Sequence, residues 1–289
     1  MRDLGTSHFR VRTVTGCSWL TMLLLSAATL DAAGEVNAPP PRVPADQPMP
    51  QDNPLFALAH RELLNKAKAG DIDLYFLGDS ITRRWHGNDY PRFQANWRKN
   101  FFGWNAANFG WGGDRTENVL WRLEHGELDG VHPKVIVLLI GTNNVGAARP
   151  LSRDTVVEDV TKGIKTILGV LQQKAPNARI VLMGIMPRNE NGSTALMPTI
   201  NRINERIAKF AGGNKTKYLN INDKLADPSG QLRDGVTEDG LHLSIDGYQI
   251  WADALKPILT EWLGPPAKTD QAPPATGIPS VSRPPRNHP

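Results

Sequence analysis

The sequence predicts a doubly wound α/β domain, a three-layer sandwich with a mostly parallel five-stranded sheet at its centre. Two observations carry that expectation. Five short apolar or β-branched runs recur at Asp73–Leu77, Ala106–Phe109, Val135–Ile140, Arg179–Met183 and Tyr218–Ile221; the third and fourth are apolar on both faces, as strands covered by helices on each side must be. Longer stretches of helical spacing lie between them, most plainly Val156, Val157, Val160, Ile164, Ile167, Leu168 and Leu171, a pattern that Pro176 stops. Strands that alternate with helices form parallel sheets through crossover connections. Ligands of such sheets bind in the crevice outside the carboxyl ends of the strands.

The remaining segments follow in chain order. Residues 1–35 read as a signal peptide: Arg2, Arg10 and Arg12 precede the apolar stretch from Trp19 to Ala28, and small residues follow it. The stretch is shorter than the ~20 residues a spanning helix needs, so no stable membrane insertion is expected once the leader is removed, and the mature chain should be secreted or periplasmic. Residues 36–52 are Pro-rich and read as an extended linker. The folded domain is expected over residues 53–264, and 265–289, again Pro-rich, is expected to be a disordered tail.

Composition excludes several function classes. The single cysteine, Cys17, lies in the leader, so the mature chain should carry no disulfide, no thiolate nucleophile and no Cys-ligated metal. With no His-x-x-x-His pair either, no metal or cofactor is implied. The formal charge of +4 belongs to the two ends, and residues 29–264 balance to zero. A nucleic-acid partner, which needs clustered Lys and Arg on the folded part, is therefore not expected.

The first run ends in Leu77-Gly78-Asp79-Ser80, which places Ser80 at a strand-to-helix turn, either as the helix cap or as a nucleophile. The second ends in Gly110-Trp111-Gly112-Gly113-Asp114 and the third in Gly141-Thr142-Asn143-Asn144. Glycines at such turns let backbone N–H groups approach a ligand, and an Asn amide can aim donors at a developing negative charge; each is also compatible with a plain turn. The glycines after the second run lack the register of a dinucleotide fingerprint. A nucleophilic serine needs a base, and sorting the histidines by position leaves His86 and His242. His242 follows Asp239 by three residues, a spacing that lets the carboxylate fold back onto the imidazole and fix its tautomer. His86 has only Asp89 at a comparable spacing.

Gly78-Asp79-Ser80, Gly113, Gly141-Thr142-Asn143 and Asp239-x-x-His242, in that order, resemble the four sequence blocks of the SGNH (GDSL) hydrolase family. Within that family the chain is most similar to the catalytic subunits of intracellular platelet-activating-factor acetylhydrolase, through Asn108 to Asp114, Val119-Leu-Trp-Arg-Leu-Glu124, Gly126-Glu-Leu128 and Asp239-x-Leu-His-Leu243. The resemblance runs from about Asp71 to Leu263 and implies the flavodoxin-like SGNH fold. It also implies a mechanism: Ser80 as nucleophile, His242 as base, Asp239 as the residue that orients the base, and an oxyanion hole built from the Ser80 and Gly113 amides with the Asn143 side chain. Asp79 is implied to be structural.

A secreted serine esterase acting on short acyl groups, an O-acetyl on a carbohydrate, is the function expected. Trp85 and Trp111, with Trp104, are the expected stacking faces for the sugar, and Arg188 the expected polar contact. Two rivals stand beside it: a lysophospholipase or thioesterase for long acyl chains, and a non-catalytic carbohydrate-binding module on the same fold.

Overall fold

The computed structural model describes residues 43–146 and 151–277. The leader, the first part of the Pro-rich linker and the end of the tail lie outside the described residues.

The chain runs α1 (Phe56–Ala67), β1 (Leu74–Gly78), α2 (Ser80–His86), α3 (Pro91–Phe101), β2 (Ala106–Gly110), α4 (Thr116–Glu124), β3 (Val135–Leu139), α5 (Thr142–Gly146), α6 (Arg153–Lys174), β4 (Arg179–Met183), α7 (Met197–Ile207), β5 (Thr216–Leu219), α8 (Asn222–Leu225) and α9 (Ile245–Leu263). The sheet has strand order β2-β1-β3-β4-β5, and all four pairings are parallel. This is the doubly wound order in which the chain leaves β1 for one neighbour and then returns past it to the other, so the crevice opens at the carboxyl end of β1.

The alternation of side chains along each strand divides the core into two. Tyr75, Leu77, Phe109, Ile136, Leu138, Ile180 and Leu182 face the layer that holds Leu63 of α1, Val119 and Leu123 of α4, Ile164 and Leu168 of α6 and Ile203 of α7. Leu74, Phe76, Val135, Val137, Val181 and Met183 face the layer of α2, α3 and α9, where Trp85, Trp97, Trp251 and Leu255 lie. Both sheet faces are covered, which is why these strands read as continuous apolar runs. β1 lies one residue later than expected, and the last strand is displaced further, beginning at Thr216 rather than Tyr218. It is an edge strand whose side chains after Thr216 are only half-buried, so its polar N-terminal residues pair without carrying an apolar signature.

Two expected boundaries are corrected. Residues 43–52 are not a free linker: Ala45 is buried, its carbonyl accepts from Thr116 Oγ1 at 2.7 Å, the Met49 amide donates to the Glu117 carbonyl at 3.0 Å, and Gln51 Nε2 donates to the Gly112 carbonyl at 3.0 Å. Residues 265–277 are likewise docked rather than disordered. The Ala267 amide donates to Gly103 O, the Gly103 amide to Asp270, the Asp71 amide to Gln271 O, the Gln271 amide to Asn105 Oδ1, Asn88 Nδ2 to Ala275 O and Lys66 Nζ to Thr276 Oγ1. Neither segment has an apolar stripe; backbone groups paired one by one with the domain hold them, a signal that composition does not carry. Such bonds contribute about 0.5–1.5 kcal/mol each, and a domain of this size loses about 2–4 °C per kcal/mol. Deleting residues 265–289 is therefore expected to lower the melting temperature by at least about 5 °C in a calorimetric scan, and an unchanged midpoint would show that the strap contributes nothing.

Candidate active site

The carboxyl ends of β2, β1 and β3 lie side by side, with Gly78 in register with Gly110 on one side and Leu139 on the other. Their three loops therefore converge. A Cβ on Gly78 would stand 2.3 Å from the Leu139 carbonyl oxygen and from Thr82 Oγ1, so only glycine lets the chain turn into α2 so tightly. Asp79 caps that helix by accepting from the Ile81 amide at 2.9 Å. The cap role left open for Ser80 thus falls to its neighbour. Asp79 is fully buried, and burial pushes its carboxyl up to about 7 against the pull of the Ile81 hydrogen bond.

The Ser80 hydroxyl instead faces the loop before α9. His242 Nε2 lies 3.0 Å from Ser80 Oγ, and His242 Nδ1 lies 2.7 Å from Asp239 Oδ2. The other Asp239 oxygen accepts the His242 amide at 2.7 Å and the Leu241 amide at 3.1 Å, which fixes the carboxylate relative to the ring it orients. Burial lowers the His242 pKa below the ordinary imidazole range; the Asp239 hydrogen bond pulls it back up and the Arg84 guanidinium pushes it further down. Burial also acts on Asp239, in the raising direction, but the hydrogen bonds from the His242 amide and ring outweigh it and leave the carboxyl below its usual value. The contacts on its two nitrogens orient the imidazole between Asp239 and Ser80, and burial favours its neutral form.

The neighbouring loops are tied to β1 and to one another. The Trp111 amide donates to the Gly78 carbonyl at 3.0 Å and pins the second loop to β1. Gly113, exposed and with φ of +80°, holds a backbone conformation that side-chain-bearing residues rarely adopt. Asn143 Nδ2 donates to the Asp114 carbonyl at 2.8 Å and so ties the third loop to the second across the end of β1, with its other N–H still to give. Gly113 and Asn143 thus lie in the loops that follow β2 and β3, the strands that flank β1, at whose end Ser80 stands.

His86, the other histidine in contention, is not in this cluster. It ends α2, its ring stacks on Trp97 with centroids 4.8 Å apart, and burial, with Lys66 and Arg98, lowers its pKa to about 3.

The expected substrate contacts are corrected. Trp85 and Trp104 are 0% and 6% exposed. Trp85 stacks on Tyr248 within a cluster that includes Trp97, Phe101 and Trp251, and its Nε1 donates to Asn96; Trp104 Nε1 donates to the Gly264 carbonyl. Trp111, 8% exposed, packs with Phe56 and Ala59 of α1 beneath the Arg83 guanidinium. Rings committed on their faces to the core offer none to a sugar. Arg188 is also buried: Nη1 donates to the Thr142 carbonyl at 2.8 Å and Nη2 pairs with Glu190, so it braces the start of α5, where Asn143 sits.

Sequence reasoning missed two groups. One is Arg84, which lies beside Asp239. The other is a buried charge cluster beneath the loops: Arg122 donates to Asp114 Oδ2 at 2.8 Å, to the Phe109 carbonyl at 3.1 Å, to the Gly78 carbonyl at 3.3 Å and to Glu127. Its signal was present as charged residues inside the apolar repeat of Val119-Leu-Trp-Arg-Leu-Glu124 and Gly126-Glu127.

Residues 76–250 match the model of the GDSL-like Lipase/Acylhydrolase family. The chain is 33% identical over 225 residues to the platelet-activating factor acetylhydrolase IB subunit alpha1 of Bos taurus, covering 76% of this chain and 90% of that one. It is 31% identical over 196 residues to the alpha2 subunit of Homo sapiens, covering 65% and 76%. A GDSL-like lipase from Bacteroides thetaiotaomicron shares the fold, with a TM-score of 0.52 at 20% identity over 65% of this chain and 87% of the other. By the family match and by these relatives, the chain belongs to the GDSL (SGNH) acylhydrolases, a family of esterases and related hydrolases.

Proposed function

We propose that the protein is a serine esterase that hydrolyses short-chain acyl esters, acetyl above all, through Ser80, His242 and Asp239. The observation that carries this reading is the continuous relay from Asp239 through His242 to Ser80, at 2.7 and 3.0 Å, set at the switch point of a doubly wound sheet. In the proposed reaction Ser80 Oγ attacks the ester carbonyl as His242 Nε2 takes its proton, and the resulting imidazolium is held by Asp239. Negative charge on the carbonyl oxygen is met by the Ser80 and Gly113 amides and the Asn143 side chain. His242 then protonates the leaving alcohol, and a water molecule, deprotonated in turn by His242, hydrolyses the acyl-enzyme.

The acetyl preference is supported by the relatives at about a third identity, which are acetylhydrolase subunits by name. The burial of Trp85 and Trp104 removes the stacking platform on which a carbohydrate leaving group rested, so the proposal commits to the acyl half of the ester. Export remains part of the proposal and rests on the leader-like residues 1–35, outside the described residues.

The test is a series of p-nitrophenyl esters from acetate to palmitate, assayed with wild type and with Ser80→Ala. Acetate should be hydrolysed fastest and the variant should be inactive on every ester. A preference for palmitate would transfer the site to the lysophospholipase reading, and a folded wild type inactive on all of them would favour the binding-module reading.

A further inference from the structure

Arg84 follows Ser80 by four positions, which puts both side chains on one face of α2, a turn apart. Its Nη1 lies 3.8 Å from Asp239 Oδ2, the oxygen that faces the His242 ring, and 3.7 Å from Glu238 Oε2. The guanidinium lies over the Tyr90 ring with 5.2 Å to the centroid. Arg92, on α3, reaches Glu238 from the solvent side. Arg84 and Glu238 are each about four-fifths withdrawn from solvent, with side chains 20% and 23% exposed, so their charges are less screened than those of a surface pair.

We infer that Arg84, with Glu238 as its counter-charge, is a positioning residue that holds the Asp239–His242 loop against α2 and keeps His242 in its proton-accepting form on the acidic side of neutrality. The inference rests on His242 being the base and adds a regulator of that same site.

The physical argument is a balance of charges around one ring. Asp239 adjoins the imidazole on its own loop, and Glu190, from the loop after β4, acts in the same direction; both favour the imidazolium. Glu238 lies next to them and adds a third negative charge, while Ser80 is neutral. Arg188 pairs with Glu190 and Arg92 with Glu238, while Arg84 is the cation beside Asp239, and its field disfavours a second positive charge on the ring. Tyr90 and Tyr248 also border the guanidinium, but Tyr248 is buried with its phenol pKa raised, and its hydroxyl donates to the Ile81 carbonyl, so it stays neutral over the working range. Without the Arg84 charge the Asp239 carboxylate beside the ring would be less offset, so the imidazole would hold its proton to higher pH and turnover would be lost sooner on acidification.

The sign follows directly. Only neutral imidazole accepts the Ser80 proton, so the rate falls as pH drops through the His242 pKa. Removing the Arg84 charge raises that pKa and moves the acid limb up; removing the Glu238 charge leaves Arg84 less compensated and moves it down.

The test measures the pH dependence of kcat/KM on p-nitrophenyl acetate and, independently of turnover, the titration of the His242 ring by NMR. Arg84→Gln should raise both midpoints by roughly 0.5 to 1 pH unit. Glu238→Gln should lower them, and the double variant should lie between. Arg84→Lys keeps the charge but not the planar stack on Tyr90, and should stay near wild type. Equal displacement in the Lys and Gln variants, or a ring titration unmoved by Arg84→Gln, would overturn the inference. Should the wild type hydrolyse no ester while the ring titration shifts as expected, the esterase reading fails and the charge balance stands.

Discussion

Ser80→Ala and His242→Ala are each expected to abolish nearly all ester turnover, by roughly 10⁴-fold or more, and the double variant to be little worse than either single one. The reason is in the geometry. Ser80 Oγ and His242 Nε2 share one hydrogen bond at 3.0 Å, and neither the alkoxide nor the imidazolium forms without the other. Asp239→Asn should preserve the fold and KM while lowering kcat by roughly 10²- to 10⁴-fold, since the amide can hold the ring in the wrong tautomer and cannot stabilise the imidazolium. The wild-type rate should fall on acidification with a midpoint below 6.5, the direction in which burial displaces His242. Steady-state assays on a soluble acetate ester check all four. Additive losses in the double variant would mean that Ser80 and His242 do not act as one unit, and activity that survives in His242→Ala but is lost in His86→Ala would reassign the base. The latter outcome would have to overcome the burial of His86 against Trp97, which leaves that ring a weak base.

The relay was legible because its parts are local. Asp239 and His242 are three residues apart, and the loop between them closes with two backbone hydrogen bonds to one carboxylate oxygen, so the spacing alone encodes the contact. Ser80 could be placed because a strand-to-helix turn fixes where a residue stands relative to the sheet. The sheet itself was legible because strands buried on both faces have an unbroken apolar signature, which the half-exposed β5 lacks.

Orientation about a helix axis was not legible in the same way. Trp85 and Ser80 both lie on α2, five positions apart, and that interval points Trp85 into the core below the sheet while Ser80 faces the crevice. Position near the site was thus mistaken for exposure to it. Arg188 and Trp111 fail for a related reason: each sits in a loop at the crevice, but its side chain turns back to brace the loop. Arg84 could have been found from its four-residue interval to Ser80, since the same helical arithmetic that removes Trp85 brings Arg84 to the side of Ser80 and Asp239.

The largest loss of stability is expected from Arg122→Met. The Arg122 side chain is 1% exposed and contacts Asp114, Glu127 and the carbonyls of Gly78 and Phe109, so one guanidinium joins the ends of the strands that lead into Ser80 and the glycine loop. Methionine matches the length of the stem but leaves two carboxylates in a fully buried site without their cation, a change that costs about 3–5 kcal/mol. Arg122→Lys should recover little of this, because an ammonium cannot reach four acceptors in the plane that the guanidinium spans. The defect should shrink as pH falls, since protonation removes the unpaired charge and burial already pushes the Asp114 carboxyl up to about 7 in the wild type. Denaturant unfolding at two pH values checks the stability, and kcat at a temperature where the variant is folded checks the coupling to the site. That rate should fall as well, because Gly78 is two residues before Ser80 and the Asp114 carbonyl holds the Asn143 side chain at 2.8 Å. A stable variant with a reduced rate would make Arg122 a positioning residue alone; an unstable variant with a normal rate would confine it to the fold; a variant unchanged in both would show that the buried cluster does neither.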